Sequence, residues 1–430
     1  MGDPMGEPKD VLRPASEEKL WSKYFILLFA SGLFSSFSLQ GSTTIKTLYI
    51  TDVGGSTGFV GTLSIVGLIS ISLSRLASGR MSDVMRKRVV AYIGLIIQIV
   101  AKLCFGFFPV LPLFIPFQIL QSIGFSMAAT ALSVLVAETI PRSRMSEGIG
   151  YFGLNTSLAT ALGPSVALAT VAAFGYTALY GSLAVYLVIS AVFILICRYE
   201  KDPEMIKMRE REEAEFGSSS EVNGDGEADG PEKILPQYRG IKKFVEPSAI
   251  PYAIVSLLYS FPMGFIMTFL PLYAAQNDIA AIGLFFTFSA VAMVLARLIA
   301  GKAADRYGTL TVMVPATILY IAVFFLILIA PSAPTYVIWL AGAFYGFAGG
   351  IVNPVLNAIV IRQVPRERRG AASGTFTLSF DIGISGGGAI WGFTIQYIGY
   401  DFTLGACIAT GFIMLAAAFI FLRERKQVQV

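Results

Sequence analysis

Long apolar runs, separated by short polar or charged clusters, set the pattern of this chain. Twelve runs stand out, at 24–50, 58–78, 89–109, 113–137, 149–173, 177–197, 248–275, 281–300, 312–330, 336–361, 371–397 and 402–422. About 20 such residues carry a helix across a bilayer core. Helices are the expected form, because lipid offers no partner to an open backbone N–H or C=O. The pattern therefore predicts an all-α polytopic membrane protein with twelve transmembrane helices. It also predicts five segments: a tail at 1–23, a six-helix bundle at 24–197, a linker at 198–247, a second six-helix bundle at 248–422 and a tail at 423–430.

Composition agrees with that reading. Hydrophobic residues make up 55% of the 430 positions and charged residues 14%, against roughly 25% charged in ordinary soluble domains. The first 23 residues are polar and of mixed charge, so no cleavable signal peptide is expected. The linker carries a charged stretch, Glu200 to Glu215, suited to a short helix at the membrane surface. A polar, Gly-rich stretch follows, SSSEVNGDGEADGPE, whose composition predicts flexibility.

Charge placement sets orientation. All but four of the 32 Lys and Arg residues lie in the two tails, the linker and the 2–3, 4–5, 8–9 and 10–11 connections; the four are Lys46, Arg75, Lys102 and Arg297. Under the positive-inside rule both termini are cytoplasmic. The net charge of +4 then reflects topology, and no nucleic-acid partner is needed to explain it. Cys104, Cys197 and Cys407 all fall in apolar runs, which reads as inert thiols rather than a disulfide or zinc site. The chain has no His, so the usual proton shuttle and metal ligand is missing. No catalytic constellation and no phosphate-binding Gly-rich loop are present, so neither an enzyme nor direct use of ATP is expected, and no cofactor is implied.

One phrase occurs twice. LSRLASGRMSD (73–83) and LARLIAGKAAD (295–305) share Leu, Arg, Leu, Gly and Asp in one frame, 222 residues apart. At a shift of 224 the match continues: Pro141 on Pro365, Arg144 on Arg368, Gly150 on Gly374, Phe152 on Phe376, Gly163 on Gly387 and Gly175-Tyr176 on Gly399-Tyr400. Leu48-Tyr49 likewise falls on Leu272-Tyr273. The shift spans six helices, an even number, so the two halves are parallel repeats. Gly79 and Gly301 would permit close packing at the helix ends. Arg75 and Arg297 would lie one turn inside the membrane and snorkel towards the cytoplasm. Asp83 and Asp305 could pair with those cations or cap a neighbouring helix. Such a device, one per half, is a latch for the cytoplasmic side.

The doubled phrase resembles the loop signature of the major facilitator superfamily. Gly79, Ser82, Asp83, Lys87 and Arg88 stand in register with it, with Met81 where Leu is usual, and Gly301, Asp305, Arg306 and Gly308 repeat it. ALGPSVALA, with Gly163 and Pro164, is similar to the fifth-span signature of drug/proton antiporters. RRGAASGTFTLSFDIGISGGG (368–388) resembles the eleventh span of efflux permeases that include opine-metallophore exporters. Where such exporters carry Arg-x-x-Gln-Gly in span 4, this chain reads Gln118-Ile-Leu-Gln121-Ser122. The resemblance implies a secondary transporter in the plasma membrane, working as a monomer by alternating access. Proton-coupled efflux of a small amphipathic organic compound is the implied activity.

The family's cavity-lining spans 1, 4, 7 and 10 offer Phe34, Phe37, Gln40, Gln118, Gln121, Tyr259, Met263, Tyr345, Asn353 and Asn357 here. Aromatic and amide groups in such a mixture suit an amphipathic ligand, though helix packing uses the same residues. Asp381 is the only acid deep in a span. It reads either as a proton-coupling carboxylate or as half of a structural ion pair. Lys46 and Lys102 lie in the outer parts of spans 1 and 3. Either they snorkel outwards, or they face the cavity and receive an anionic group. That second possibility keeps uptake or exchange of an organic anion open as an alternative. A transporter-like sensor or scaffold is the alternative of another class.

Overall fold

The computed structural model describes residues 20–141, 144–203, 205–206, 246–362, 364 and 369–422. Most of the predicted tails and linker lies outside these residues. Twelve α-helices are described: α1 (Lys23–Asp52), α2 (Thr57–Val84), α3 (Lys87–Phe107), α4 (Leu111–Ala137), α5 (Met145–Ile196), α6 (Ile250–Thr268), α7 (Leu270–Gln276), α8 (Gly283–Tyr307), α9 (Thr309–Ile329), α10 (Tyr336–Arg362), α11 (Arg369–Tyr397) and α12 (Tyr400–Phe421). There is no strand among the described residues. Ten helical segments are long and apolar enough to cross a membrane. Leu73, Leu298, Phe412 and Ile420 remain exposed on the outside of the bundle, where a membrane protein meets acyl chains.

Helix boundaries differ from the apolar runs at two places, each with a local cause. The runs 149–173 and 177–197 join into one 52-residue helix, α5. It turns at Gly175, whose φ of +79° is reached readily only by glycine. Gly399, its repeat partner, has φ +110° and starts α12. The run 248–275 is broken between α6 and α7 around Phe269, where Pro271 lacks an N–H to continue the ladder. The run 371–397 is a full-length helix, α11, yet is too rich in Gly, Ser and Thr to count among the ten apolar segments.

Packing explains that composition. Between helices in lipid, small residues allow the close backbone approach that holds them together. α11 lies against α6 on one side and α2 on another. Gly383 and Gly387 meet the backbone carbonyls of Leu257 and Phe261 on α6. Gly392 meets Gly61 on α2, where a Cβ would come within 3.0 Å of its backbone. α10 sits on α8 in the same way: Gly342, Gly346 and Gly350 face the carbonyls of Phe285, Ser289 and Met293, one per turn.

The repeat register reappears in contacts. Tyr49 packs on Tyr176 with ring centroids 4.7 Å apart, and Tyr273 on Tyr400 at 5.1 Å. The Tyr49 hydroxyl donates to the Phe105 carbonyl, and the Tyr273 hydroxyl to the Ile327 carbonyl, at 2.9 and 3.3 Å. Helices α1–α5 pack mainly on one another, as do α6–α12. Two seams join these groups, α2 on α11 and α5 on α8.

Gly346→Ala should collide with the Ser289 carbonyl and lower stability by about 1–3 kcal/mol. Gly181→Ala meets nothing within 4 Å and should stay within about 0.5 kcal/mol. Thermal unfolding of the two variants in detergent checks the contrast.

Candidate functional site

The four cations inside the apolar runs occupy two regions. Arg75 and Arg297 lie on the seams. Arg75, on α2, forms an ion pair with Asp381 on α11 at 2.7 Å. Arg297, on α8, donates from Nη2 to the Ser157 hydroxyl on α5. Each arginine therefore reaches across to the other group of helices. The latch residues Gly79, Asp83, Gly301 and Asp305 lie on α2 and α8, but their side chains are outside the described residues.

Asp381 thus takes the ion-pair position in this structure, with its side chain 30% and that of Arg75 38% exposed. The Asp381 Oδ2 that meets Arg75 is itself buried, so the about 0.2–1 kcal/mol of a fully exposed pair is a lower bound on its worth. Ser157 escapes detection by composition, but the 224 register places it opposite Asp381. One seam therefore closes on a carboxylate and the other on a hydroxyl. The Arg297 Nε has no hydrogen-bond partner.

Beside Arg297, between α5, α8, α9 and α10, a cavity of about 370 Å³ opens, lined among others by Leu154, Ala300, Pro354 and Ala358. The opposite ends of both seams are tight. The Gly58 N–H donates to Gln396 at 2.8 Å on one. On the other, the Ser165 hydroxyl donates to the Gly283 carbonyl at 2.9 Å and lies 3.1 Å from the Thr287 hydroxyl.

The second region lies within the first group of helices, on α1, α3 and α4. The Lys46 Nζ donates to Gln118 Oε1 at 2.5 Å, and the Gln118 amide reaches the Ser122 hydroxyl at 3.3 Å. Lys46 also sits over the Phe105 ring at 5.6 Å. Lys102 is 1% exposed, and its Nζ has no hydrogen-bond partner. One turn away on α3, Gln98 is fully buried with neither amide atom bonded; Gln121 Oε1 is likewise unbonded. Phe105, which Lys46 covers, lies one turn beyond Lys102 on α3. No acid pairs with either among the described residues. A lone charge at the centre of a span costs about 2.5–3.5 kcal/mol on insertion scales and less towards its ends.

The remaining expected lining residues divide. Phe34 stacks on Phe193 and packs at a tilt on Tyr186, each at 5.9 Å, and Phe37 lines a narrow crevice beside Gly41 and Gly163, so both serve the α1–α5 contact. Gln40 bonds Thr160 there. Tyr259, Met263 and Tyr345 are buried; Tyr259 packs on Tyr320 at 4.7 Å, and Tyr345 stacks on Phe285 at 5.7 Å. Asn353 and Asn357 are half-buried on α10, and Asn357 Oδ1 is unbonded.

Other charges are accounted for locally. Glu138 holds Lys87 and the Tyr199 hydroxyl, Glu147 pairs with Arg144, and Asp52 accepts from Tyr176. No group of three His, Cys, Asp or Glu that could hold a metal occurs among the described residues.

The family model described as Major Facilitator Superfamily matches residues 28–279 and 252–430. The chain belongs to that superfamily. Among its relatives is the staphylopine export protein of Staphylococcus aureus, 21% identical over 373 residues, which are 86% of this chain and 88% of that protein. An uncharacterized transporter of the superfamily from Methanocaldococcus jannaschii is 20% identical over 378 residues, covering 86% and 91%. Among solved structures, a POT family transporter in complex with 5-aminolevulinic acid superposes with a TM-score of 0.71 at 13% identity, covering 95% of this chain and 98% of that one. The nucleoside transporter NupG superposes at 0.65 and 14%, covering 92% and 99%. This facilitator is therefore a multi-pass membrane transporter, not an enzyme.

Breaking the Arg75–Asp381 pair should loosen its seam. Arg75→Gln or Asp381→Asn should raise maleimide labelling of a cysteine placed at Ser64, which faces Gly388 in the same seam, by at least about 1.4- to fivefold, the population shift that about 0.2–1 kcal/mol allows. The charge-swapped double variant, Arg75→Asp with Asp381→Arg, should return labelling towards the parent rate.

Proposed function

We propose that this facilitator is a secondary transporter that exports a small amphipathic organic compound by alternating access, driven by protons. One observation carries the reading: repeat-related arginines, Arg75 and Arg297, bridge the two seams between the helix groups. Contacts made by long arginine side chains can part and re-form, which suits a junction that opens and closes.

The supporting layout is two parallel six-helix repeats at 24–197 and 248–422. The two arms of α5 serve as spans 5 and 6, α6 with α7 as span 7, and α11 as span 11. Charge asymmetry supports cytoplasmic termini, with the 370 Å³ cavity on the same side. The arrangement is then inward-facing, in the plasma membrane, with a monomer as the working unit. Export is favoured by the likeness to the staphylopine export protein. Asp381 is the proton-coupling candidate, since its protonation would remove the charge that holds Arg75 across the seam.

The test uses the purified chain in liposomes carrying a pH-sensitive dye. Transported compounds should move protons in the opposite direction, and a pH gradient should drive their accumulation. Asp381→Asn should abolish accumulation while leaving exchange of compound down its own gradient. An Asn variant that accumulates at the parent rate makes Asp381 a purely structural partner of Arg75. A parent protein that moves no solute under any gradient overturns transport itself.

A further inference from the structure

We infer that the facilitator's binding region takes a small organic carboxylate, received by Lys46 and Lys102 with Gln98, Gln118 and Gln121 around them. The inference rests on the transport reading and names the substrate class of that same site. It comes from a charge imbalance. Two lysines lie in the outer parts of α1 and α3, Lys46 over the Phe105 ring one turn from Lys102, and no carboxylate pairs with either among the described residues. Lys46 has only a neutral amide oxygen as partner, at 2.5 Å, and the Lys102 ammonium has none.

The surrounding groups are polar but uncommitted. Gln98 leaves both amide atoms unbonded although it is fully buried, and Gln121 leaves its oxygen unbonded. Buried amides normally find partners within the fold. Three unbonded side chains on adjacent turns of α3 and α4 are complementary to something the chain does not supply. A carboxylate fits the deficit: it balances the cations and accepts from an ammonium and an amide N–H together. An aromatic wall favours an organic body over a bare inorganic ion. Phe105 lies under Lys46, stacked on Tyr180 at 5.6 Å, and Tyr49 donates to its carbonyl.

Depth orders the two cations. Lys46 is half-buried and Lys102 fully covered, so an incoming anion meets Lys46 first. Loss of the Lys46–Gln118 bond then opens the way to Lys102. The other repeat has no such pair. In register, Lys46 corresponds to Leu270, and Lys102 to Phe324. The anion site belongs to the first half alone, so a carboxylate bound there leaves the second half to meet the apolar part of the molecule.

The test measures binding separately from transport. The full-length chain in lipid nanodiscs is titrated with succinate, citrate and iminodiacetate, with their methyl esters, and with sodium chloride, following the thermal midpoint and heat of binding. At least one acid should raise the midpoint with concentration, and its ester should not. Lys102→Met should weaken that acid at least tenfold. Lys46→Gln, at a half-buried position, should do the same and stands in should the Met variant fail to fold. Equal binding of acid and ester, no binding of any acid, or undiminished binding in both lysine variants overturns the inference. So does stabilisation by chloride alone with the same lysine dependence. If the parent transports a neutral compound yet binds no acid, the carboxylate site falls and the transport reading stands. If acid binds but no solute moves, the reverse holds.

Discussion

Helices in hydrocarbon gain little by hiding apolar side chains from one another, since the lipid is equally apolar. What they can gain is close backbone contact, and in this protein glycine provides it. The stripe Gly342, Gly346 and Gly350 seats α10 on α8; Gly94 and Gly124 bring α3 and α4 together, where a Cβ on Gly124 would lie 2.7 Å from the Gly94 carbonyl. α11 carries the principle furthest, with glycines on two faces for two neighbours. The contact type also varies along a seam. Where α2 meets α11, one end is backbone against backbone at Gly61 and Gly392, and the middle is Arg75 against Asp381. Interdigitated backbone is a hard contact with one geometry. An ion pair between long side chains can part and re-form. A seam built this way has a pivot at one end and a releasable clasp further along.

The second constraint is the cost of charge in a membrane. Four cations lie inside the apolar runs, and each meets the cost differently. Arg75 has a carboxylate, Arg297 a hydroxyl, Lys46 an amide oxygen, and Lys102 nothing that the described residues supply. The residue types suit these positions. A guanidinium keeps its charge in any environment and offers several donors in a fixed fork, which serves a clasp. An ammonium is a compact point charge on a flexible stem, able to follow a small anion.

Much of the architecture was readable in the sequence because it rests on period and composition. Apolar run length located the helices, and the 222–224 shift located repeat-related positions that then appeared in matching contacts, Tyr49–Tyr176 and Tyr273–Tyr400. The junctions were less legible. Nothing in a hydropathy profile separates two runs joined by a loop from one helix turned at Gly175, because the turn needs a single φ value. The site was the least legible part. Arg75 and Asp381 were each conspicuous, but they are 306 residues apart, and only the packing of α2 on α11 makes them partners. Phe34 and Phe37 lie on a lining helix, yet their side chains point to α5; a period of 3.6 residues places a residue on a face without naming the neighbour there. Gln98 drew no notice, since one amide in an apolar run is unremarkable until it is found buried and unbonded.

Duplication itself separates frame from function. The features that recur in both halves are those that shape and join helices: tyrosine pairs at helix ends, hydroxyl-to-carbonyl bonds, left-handed glycines before the last helix of each half, and arginines on the seams. The features that fail to recur are charged. Asp381 stands where the first half has Ser157, and the lysines stand where the second half has Leu270 and Phe324. A pair of halves with equal clasps would release both seams under the same conditions. With a carboxylate on one seam only, the proposed protonation would act on one clasp and leave the Arg297–Ser157 contact in place. With cations in one half only, an anion biases one wall of the central region and not its counterpart. Rocking of two similar bundles needs their similarity; coupling that motion to a proton and a cargo, as proposed, needs the places where they differ.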